Sequence, residues 1–278
     1  MTENTTNETV LVTAATGKTG RRVAERLTTR GVRVRAGSRK GAVAFDWADE
    51  STWAPALHGT DAAYVNYFPD LAAPDAPQVM RAFGRAAAEA GVRRLVLLSG
   101  RGEPEAVVAE GALRESGLEL TVVRAAFFAQ NFSEGAMREG VQAGEIVFPA
   151  RGTAEPFVDA DDLADVMVAV LTEPEHRGAV HELTGPRLLT FAEVAQEIGR
   201  VTGRDVRYVP VSAAEYAQAL QQFGLPEPDA EWLAGLFDTL LDGHNASLTD
   251  GVERVLGRAP KDFADFAKDA AAAGAWAA

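Results

Sequence analysis

The chain has 278 residues, enough for one large domain or two small ones, and its 47% hydrophobic content can supply a substantial core. Its net charge of −13 argues against nucleic-acid binding, because proteins that contact the phosphate backbone need a basic surface. The chain contains no cysteine, which excludes disulfides, thiol catalysis and Cys-ligated zinc.

The first eight residues are polar and contain no apolar region of the signal-peptide kind. No apolar run in the chain approaches the length that spans a membrane. We therefore expect a cytoplasmic protein without membrane contact.

Residues 9–27 predict a strand, a tight turn and a helix, with apolar Val10–Val12 before the turn and Val23 and Leu27 on one helix face. Glycines in such a turn let a pyrophosphate approach the backbone N–H groups and the positive end of the helix. Ala14 stands where the first glycine of a Gly-x-x-Gly-x-x-Gly loop would be, and Lys18 is either a phosphate contact or an exposed helix residue. The predicted cofactor-binding residues of the turn are Thr13, Ala14, Thr16, Gly17, Lys18, Thr19 and Gly20.

The second predicted strand, Val32–Ala36, ends in Ser38, Arg39 and Lys40. NAD-binding folds usually place an acid here for the ribose 2′-hydroxyl, whereas an Arg accommodates a 2′-phosphate. The segment contains no acid, so it predicts NADP(H) as the cofactor, bound by Ser38, Arg39 and Lys40. The alternative is that Arg39 and Lys40 are solvated turn residues.

Strand and helix patterns then alternate as far as Arg124, which predicts a doubly wound parallel α/β sheet of the Rossmann type. Ligands bind such sheets at the carboxyl ends of the strands, where Asn66 is a cofactor candidate and Asp46 is either an adenine contact or an exposed acid. The further predicted strands are Ala42–Asp46, Ala62–Asn66, Arg94–Leu98 and Leu120–Arg124. The helices between them are predicted at Ser51–Leu57, Ala76–Ala90 and Glu105–Ser116.

The alternation loosens after Arg124, and we predict a cofactor-binding core over residues 1–150 and a mostly helical substrate region over 151–278, with segments that return to the core. Aromatic residues between Tyr216 and Leu241 form either core or a lid over an apolar ligand. Helices are predicted at Phe127–Glu139, Ala160–Leu171, Phe191–Thr202, Ala213–Phe223, Ala230–Leu241 and Phe263–Ala272, and strands at Ile146–Phe148, Val180–Leu183 and Val206–Val209. The substrate-binding candidates are Tyr67, Phe127, Phe128, Asn131, Tyr216, Trp232 and Phe237.

Several motifs resemble the NmrA-like group of atypical short-chain dehydrogenases/reductases. They are the glycine turn, Leu97–Gly100, Glu110–Leu118 leading into Thr121–Arg124, Phe127–Phe132, Asp159–Ala164, His181–Pro186 and Val255–Pro260. Phe45–Trp47 with Thr52 and Trp53 is similar to the bacterial branch related to ergot-alkaloid reductases, and the chain also resembles simocyclinone-type polyketide ketoreductases.

Typical short-chain reductases use a Tyr-x-x-x-Lys pair and a Ser, but here Ala106 and Glu110 stand at the pair's spacing. Ser99 remains as the candidate catalytic hydroxyl, or as a small residue closing a buried strand. Hydride transfer needs orientation more than a protein acid. The proton can come from water, from Ser99, Tyr64 or Tyr67, or from a hydroxyl of the substrate beside the reacting carbonyl.

The resemblance implies an NADPH-dependent reductase, and our leading hypothesis is substrate-assisted reduction of a ketone in a bulky polycyclic aromatic molecule, in antibiotic biosynthesis. Alternatives are a quinone or imine reductase and a non-catalytic NADP(H) sensor. We expect a small-molecule aromatic substrate, no nucleic-acid partner, and a monomer or homodimer. We expect no metal, because the histidines, His58, His176, His181 and His244, have no paired ligand spacing, although His244 could reach the cleft.

Overall fold

Residues 8–277 are described by the computed structural model, and the first seven residues, on which part of the localisation expectation depends, lie outside them. The strands are β1 (Thr9–Val12), β2 (Arg33–Ser38), β3 (Val43–Ala44), β4 (Ala62–Val65), β5 (Arg94–Gly100), β6 (Glu119–Ala125), β7 (Glu145–Phe148), β8 (Ala154–Glu155), β9 (Val180–Leu183), β10 (Leu189–Thr190) and β11 (Arg207–Pro210). The helices are α1 (Gly20–Thr29), α2 (Trp53–Leu57), α3 (Ala76–Glu89), α4 (Pro104–Arg114), α5 (Asn131–Glu134), α6 (Met137–Ala143), α7 (Ala160–Thr172), α8 (Phe191–Thr202), α9 (Ala213–Gln222), α10 (Glu227–Leu240), α11 (Gly251–Leu256) and α12 (Phe263–Ala272).

A seven-stranded sheet has the order β3-β2-β1-β4-β5-β6-β9, and all its neighbouring strands pair in parallel. From β1 the chain builds outward to β2 and β3, and from β4 it builds in the opposite direction. This confirms the predicted doubly wound α/β fold. The strand order reverses between β1 and β4, and ligands of such sheets bind outside the carboxyl ends of the strands at that point.

The central strands β1, β4 and β5 are mostly apolar because helices cover both faces of a parallel sheet. The side chains of β4 are fully buried, and Val10, Leu11 and Val12 of β1 are at most 1% exposed. In α1, Val23 and Leu27 are also fully buried, so the i and i+4 positions form the helix face that packs inward, as the sequence pattern predicts.

The described chain forms two compact units that interleave along the sequence. The first contains residues 8–125, 160–183 and 250–258, and the second contains residues 126–159, 184–249 and 259–277. The seven-stranded sheet belongs to the first unit. The division at residue 150 into a cofactor domain and a substrate domain stays a prediction.

The second unit contains two small sheets, β7 with β11 in parallel and β8 with β10 antiparallel. Its core is rich in aromatic rings, which pack mostly edge to face. The buried aromatic members of this core are Phe132, Phe148, Phe157, Phe191, Phe263, Phe266 and Trp276.

The prediction of one helix over Phe127–Glu139 is wrong. Residues 127–129 instead form backbone hydrogen bonds with Val158. The Val158 N–H donates to the Phe127 carbonyl, and the Ala129 N–H donates to the Val158 carbonyl. Gly135 then takes an extended conformation and separates α5 from α6. The sequence pattern also missed β8, β10 and α11, which are too short to give a periodic signal.

The acids at the start of α7 form ion pairs within the first unit. Asp161 contacts Arg22 and Arg26 of α1, and Asp162 contacts Arg258. The cation pairs hold the pKa of Asp161 below its usual value even though burial of the carboxyl group acts in the opposite direction. The Asp161 contacts hold α7 against α1, and the Asp162 contact holds α7 against the segment after α11. Over residues 8–277, no helix has the length and apolar character needed to cross a membrane.

Candidate cofactor site and active site

The turn between β1 and α1 closes tightly on itself. Ala14 has φ = +50°, a left-handed conformation that favours glycine, and Gly17 N–H donates to the Ala14 carbonyl at 2.8 Å. A Cβ at Gly20 would lie 2.8 Å from the Ala14 carbonyl carbon and closer still to its oxygen. Ala14 therefore takes the left-handed bend itself, while Gly20 provides the space for the close approach of α1.

The end of β4 fixes this turn from the neighbouring strand. Thr13 Oγ1 donates to the Tyr64 carbonyl at 3.1 Å and accepts a bond from Asn66 N–H at 2.8 Å. Tyr64 Oη and Asn66 Nδ2 both donate to Thr19 Oγ1, at 2.9 and 3.0 Å. The observed role of Asn66 is thus to hold the turn, and any contact with a cofactor stays a prediction.

The fully buried Tyr64 is poorly placed as a proton donor. Burial raises the pKa of its phenol strongly, and its hydroxyl is already donated to Thr19. Its position instead links β4 to the start of α1.

A cavity of about 700 Å³ opens beside the turn, within the first unit. It lies at the reversal of strand order, where the fold class places a dinucleotide. The structure brings together here a subset of the predicted cofactor residues: Ala14, Thr16, Gly17, Ser38, Arg39 and Asp46. The remaining predicted cofactor residues, Thr13, Lys18, Thr19, Gly20, Lys40 and Asn66, are not among its lining residues.

Charged groups stand at the cavity edge. Arg39 follows directly after β2 and is exposed, and Asp46, Glu50 and Asp75 bring carboxylates to the lining. Asp46 Oδ1 also accepts a bond from Ala48 N–H at 3.1 Å, so this acid shapes its own loop.

An aromatic wall closes one side of the cavity. Trp47 donates its indole N–H to the Asn66 carbonyl at 2.9 Å and packs edge to face against the rings of Phe45 and Tyr67, with centroids 4.9 and 5.2 Å away. Trp53 also lines the cavity, and the fully buried Phe83 packs behind Trp47 and Trp53. Trp47 was not among the predicted site residues, although Phe45–Trp47 contributes to the family resemblance.

Tyr67 was predicted to contact substrate, and the structure places it in this cavity. Its hydroxyl donates to Asp75 Oδ2 at 3.1 Å. Burial and the neighbouring negative charge both raise the pKa of the Tyr67 phenol. The Tyr67 phenol is therefore a weaker acid than an ordinary tyrosine.

A buried ionic group lies at the ends of β5 and β6. Ser99 Oγ donates to Glu110 Oε1 at 2.7 Å, and Arg124 binds both oxygens of Glu110, at 2.9 and 2.8 Å. Glu110 is 1% exposed, and its carboxylate raises the pKa of the Arg124 guanidinium. With its proton engaged by Glu110, Ser99 in this arrangement cannot also donate to a substrate carbonyl, and its catalytic role stays a prediction.

The predicted substrate residues of the second unit divide into two groups. Phe127, Tyr216 and Phe237 pack against the buried Phe148, with centroids 5.8, 5.2 and 4.7 Å away, which favours a core role over a mobile lid. Burial raises the pKa of Tyr216 to about 12. The others, Phe128, Asn131 and Trp232, are half-buried, and their role in substrate binding stays a prediction.

Three possible metal ligands, Glu173, Glu175 and His176, lie close enough together to share an ion. His176 Nε2 lies 3.6 Å from Glu173 Oε2, an ordinary surface pair. A partly exposed group of this kind indicates no metal by itself, and the expectation of a metal-free protein stays a prediction.

Comparison with known proteins agrees with this architecture. The sequence profile of the NmrA-like family matches residues 6–266. The uncharacterized oxidoreductase YesF of Bacillus subtilis is 35% identical over 269 residues, which cover 93% of each chain. An NAD(P)H azoreductase of Xenophilus azovorans is 34% identical over 261 residues, covering 90% of this chain and 86% of that protein.

Among solved structures, the NADPH complex of the quinone oxidoreductase QOR2 from Escherichia coli superposes with a TM-score of 0.74 at 22% identity, covering 94% of this chain and 99% of that one. Identity at this level indicates a common fold. The family match spans most of the sequence and agrees with the motifs quoted above, so this chain belongs to the NmrA-like family.

Proposed function

We propose that this chain is an NADPH-dependent reductase of bulky conjugated carbonyl compounds, either quinones or polycyclic aromatic ketones. The observation that carries the proposal is the cavity beside the β1–α1 turn, which combines the phosphate-binding turn, an exposed Arg39 and an aromatic wall. The name of the azoreductase supports an NAD(P)H-dependent reduction, and the name of QOR2 supports a quinone as the acceptor.

The residues fit a dinucleotide. The turn at Gly17 and the start of α1 offer backbone N–H groups to a pyrophosphate, and the missing Cβ of Gly20 keeps that turn closed. Arg39 would hold the 2′-phosphate, and Trp47 offers a flat surface to adenine. The bound cofactor would supply a hydride, while the protein supplies orientation.

The nature of the acceptor follows from the residues that replace the Tyr-x-x-x-Lys pair. Ala106 is fully buried, and Glu110 is held in the ionic group with Arg124. Neither can act as a Tyr–Lys pair does. An acceptor that is already electron-poor suits this site, as does a ketone polarised by its own neighbouring hydroxyl.

We expect Arg39→Ala to weaken NADPH binding about ten- to a hundredfold, because a charge-assisted contact with phosphate contributes about 1.5–3 kcal/mol. NADH lacks the phosphate and serves as the matched control, so its affinity should not fall. Titrating both cofactors against both proteins measures the effect. Equal affinities of the wild type for NADPH and NADH would contradict the assignment.

Turnover separates an enzyme from a sensor. NADPH oxidation with a naphthoquinone or a polycyclic aromatic ketone supports the reductase. Equal binding of NADP⁺ and NADPH with no oxidation by any quinone, ketone or imine would support a cofactor-sensing regulator and contradict our proposal.

The three hydroxyls suggested as proton donors should each prove dispensable. We expect Ser99→Ala, Tyr64→Phe and Tyr67→Phe each to lose less than about a hundredfold in the rate of the chemical step, because a true general acid contributes about a hundred- to ten-thousandfold. Single-turnover measurements with saturating cofactor give the rates. Near-complete loss in one variant that still binds both ligands would identify that hydroxyl as the acid.

A further inference from the structure

The side chains of Glu173, Glu175 and His176 come together in the first unit, between α7 and β9. Each of the three has a ligand atom within 4.8 Å of the other two. His176 Nε2 lies 3.6 Å from Glu173 Oε2. Two ligand atoms that bind the same tetrahedral Zn²⁺ ion lie about 3.4 Å apart, so this separation is close to the one that an ion requires.

The two carboxylates can reach such an ion. Glu173 Oε1 faces Arg30 at 3.5 Å, which leaves Oε2 on the side of His176. Glu175 is exposed, so its carboxylate can turn towards His176 without displacing a buried neighbour. These three residues alone are an ordinary surface group, and a metal site needs a further observation.

The backbone that carries the group is fixed from below by β6. The buried Thr121 donates its hydroxyl to the His176 carbonyl at 3.2 Å and accepts a bond from Gly178 N–H at 3.1 Å. The chain on either side of His176 is thus held against the sheet. A ligand on this turn starts from a defined position, which lowers the entropy that metal binding must overcome.

The further observation is the imidazole of His181 in β9. His181 is only 5% exposed, yet neither of its ring nitrogens has a hydrogen-bond partner of ordinary geometry anywhere in residues 8–277. Buried polar groups are nearly always bonded, and an exception indicates a partner such as an ion or a water.

The His181 ring lies against the ring of His176. The two rings meet edge to face, with centroids 5.2 Å apart. Two imidazoles that bind one tetrahedral ion, each through a nitrogen about 2.1 Å from it, have centroids about 5 Å apart. The buried, unpartnered imidazole is therefore at the distance from His176 that a shared ion requires.

We propose that Glu173, Glu175, His176 and His181 bind one divalent transition-metal ion of the Zn²⁺ class. Imidazole nitrogens and carboxylate oxygens are a usual donor set for Zn²⁺. The ion ties the end of α7 to β9, the outermost strand on this side of the sheet. It replaces the expectation of a metal-free protein, which was based on ligand spacing in the sequence.

The proposed ion is structural. None of its four ligands lines the cavity beside the β1–α1 turn. The inference is therefore independent of the proposed function, and NADPH binding should be the same with and without the metal.

The first experiment uses the full chain after treatment with a chelator. Calorimetric titration with Zn²⁺ should show a single ion bound with a micromolar or lower dissociation constant, and the ion should raise the Tm in a concentration-dependent way. Co²⁺ serves as a spectroscopic probe, because its visible absorption reports the coordination geometry. We expect the bands of four-coordinate Co²⁺, which Zn²⁺ should abolish by displacing it.

The second experiment identifies the ligands in the unaltered protein. In imidazole NMR spectra, Zn²⁺ should shift the ring signals of His176 and His181 together. The other two histidines, His58 and His244, are exposed and serve as internal controls whose signals should not move.

Substitutions test the contribution of single ligands. Loss of a group that only orients a metal ligand costs about ten- to a hundredfold in affinity, so loss of a ligand should cost at least that much. We expect Glu175→Gln and His181→Asn each to weaken Zn²⁺ binding to this extent. Glu175→Gln changes an exposed side chain and should fold normally, while His58→Asn, the matched control, should keep the wild-type affinity.

Three results would overturn the inference. One is the absence of Zn²⁺ binding at micromolar concentrations. The second is a shift of the His176 signal alone, which would show an adventitious surface ion only and leave the buried His181 to a water. The third is wild-type affinity in Glu175→Gln.

Discussion

Gly20→Ala is expected to weaken NADPH binding by at least about a hundredfold, which corresponds to about 3 kcal/mol. The new methyl carbon would lie 2.8 Å from the Ala14 carbonyl carbon and 3.1 Å from the Thr13 carbonyl oxygen. Both are backbone atoms that cannot rotate aside. The turn must open, which moves the start of α1 away from the position that a pyrophosphate requires.

Cofactor titration, followed by the intrinsic tryptophan fluorescence of the protein, measures this change, and thermal unfolding checks that the variant remains folded. Gly111→Ala is the matched control, because nothing lies within 4 Å of its added Cβ in α4. It should bind NADPH normally and gain about 0.5–1 kcal/mol in stability from better helix propensity. Wild-type affinity in a folded Gly20→Ala would show that the turn does not carry the phosphates.

The parallel sheet could be predicted because each of its strands is marked by a short run of neighbouring residues in the sequence. Apolar runs such as Val10–Val12 can be satisfied only between two helical layers, and their alternation with helices leaves few topologies. The turn at Gly17 and Gly20 and the position of Arg39 follow from the same local order. The motifs also predicted membership of the NmrA-like family, which the sequence profile confirms.

The aromatic wall of the cavity could not be predicted from the sequence alone. Trp47 lies beside Tyr67 only because β4 returns next to β1, and a half-buried indole in a loop gives no periodic signal. The prediction of one helix over Phe127–Glu139 failed for a related reason. The backbone hydrogen bonds of Phe127 and Ala129 go to Val158, which is distant in sequence.

The burial of Glu110 is a second feature that the sequence could not predict. In the sequence, Glu110 stands where the lysine of a Tyr-x-x-x-Lys pair would be. That spacing shows that the lysine is missing, but it does not predict which residue binds the Glu110 carboxylate. The structure supplies the partner from β6, where Arg124 neutralises the carboxylate, and Ser99 of β5 donates a third hydrogen bond to it. Glu110 lies in the second half of α4 and is only 1% exposed, and its long-range pairing with Arg124 explains how a charged side chain can be buried there.

Arg124→Met is accordingly expected to lower the free energy of unfolding by about 3–5 kcal/mol, because it leaves the buried Glu110 carboxylate without its cation. Urea unfolding at neutral pH measures the loss. Arg81→Met is the matched control, since Arg81 also binds both oxygens of a glutamate, Glu115, but at an exposed position. Exposed ion pairs contribute little, so this variant should unfold at nearly the wild-type denaturant concentration.

A double variant tests the cause of that instability. Glu110→Gln removes the stranded charge and keeps an acceptor for the Ser99 hydroxyl, so combining it with Arg124→Met should recover most of the lost stability. If the two substitutions destabilise additively instead, the penalty comes from lost packing rather than from an unpaired buried charge. Equal unfolding of Arg124→Met and Arg81→Met would contradict the buried ion pair altogether, because the two pairs differ in burial far more than in geometry.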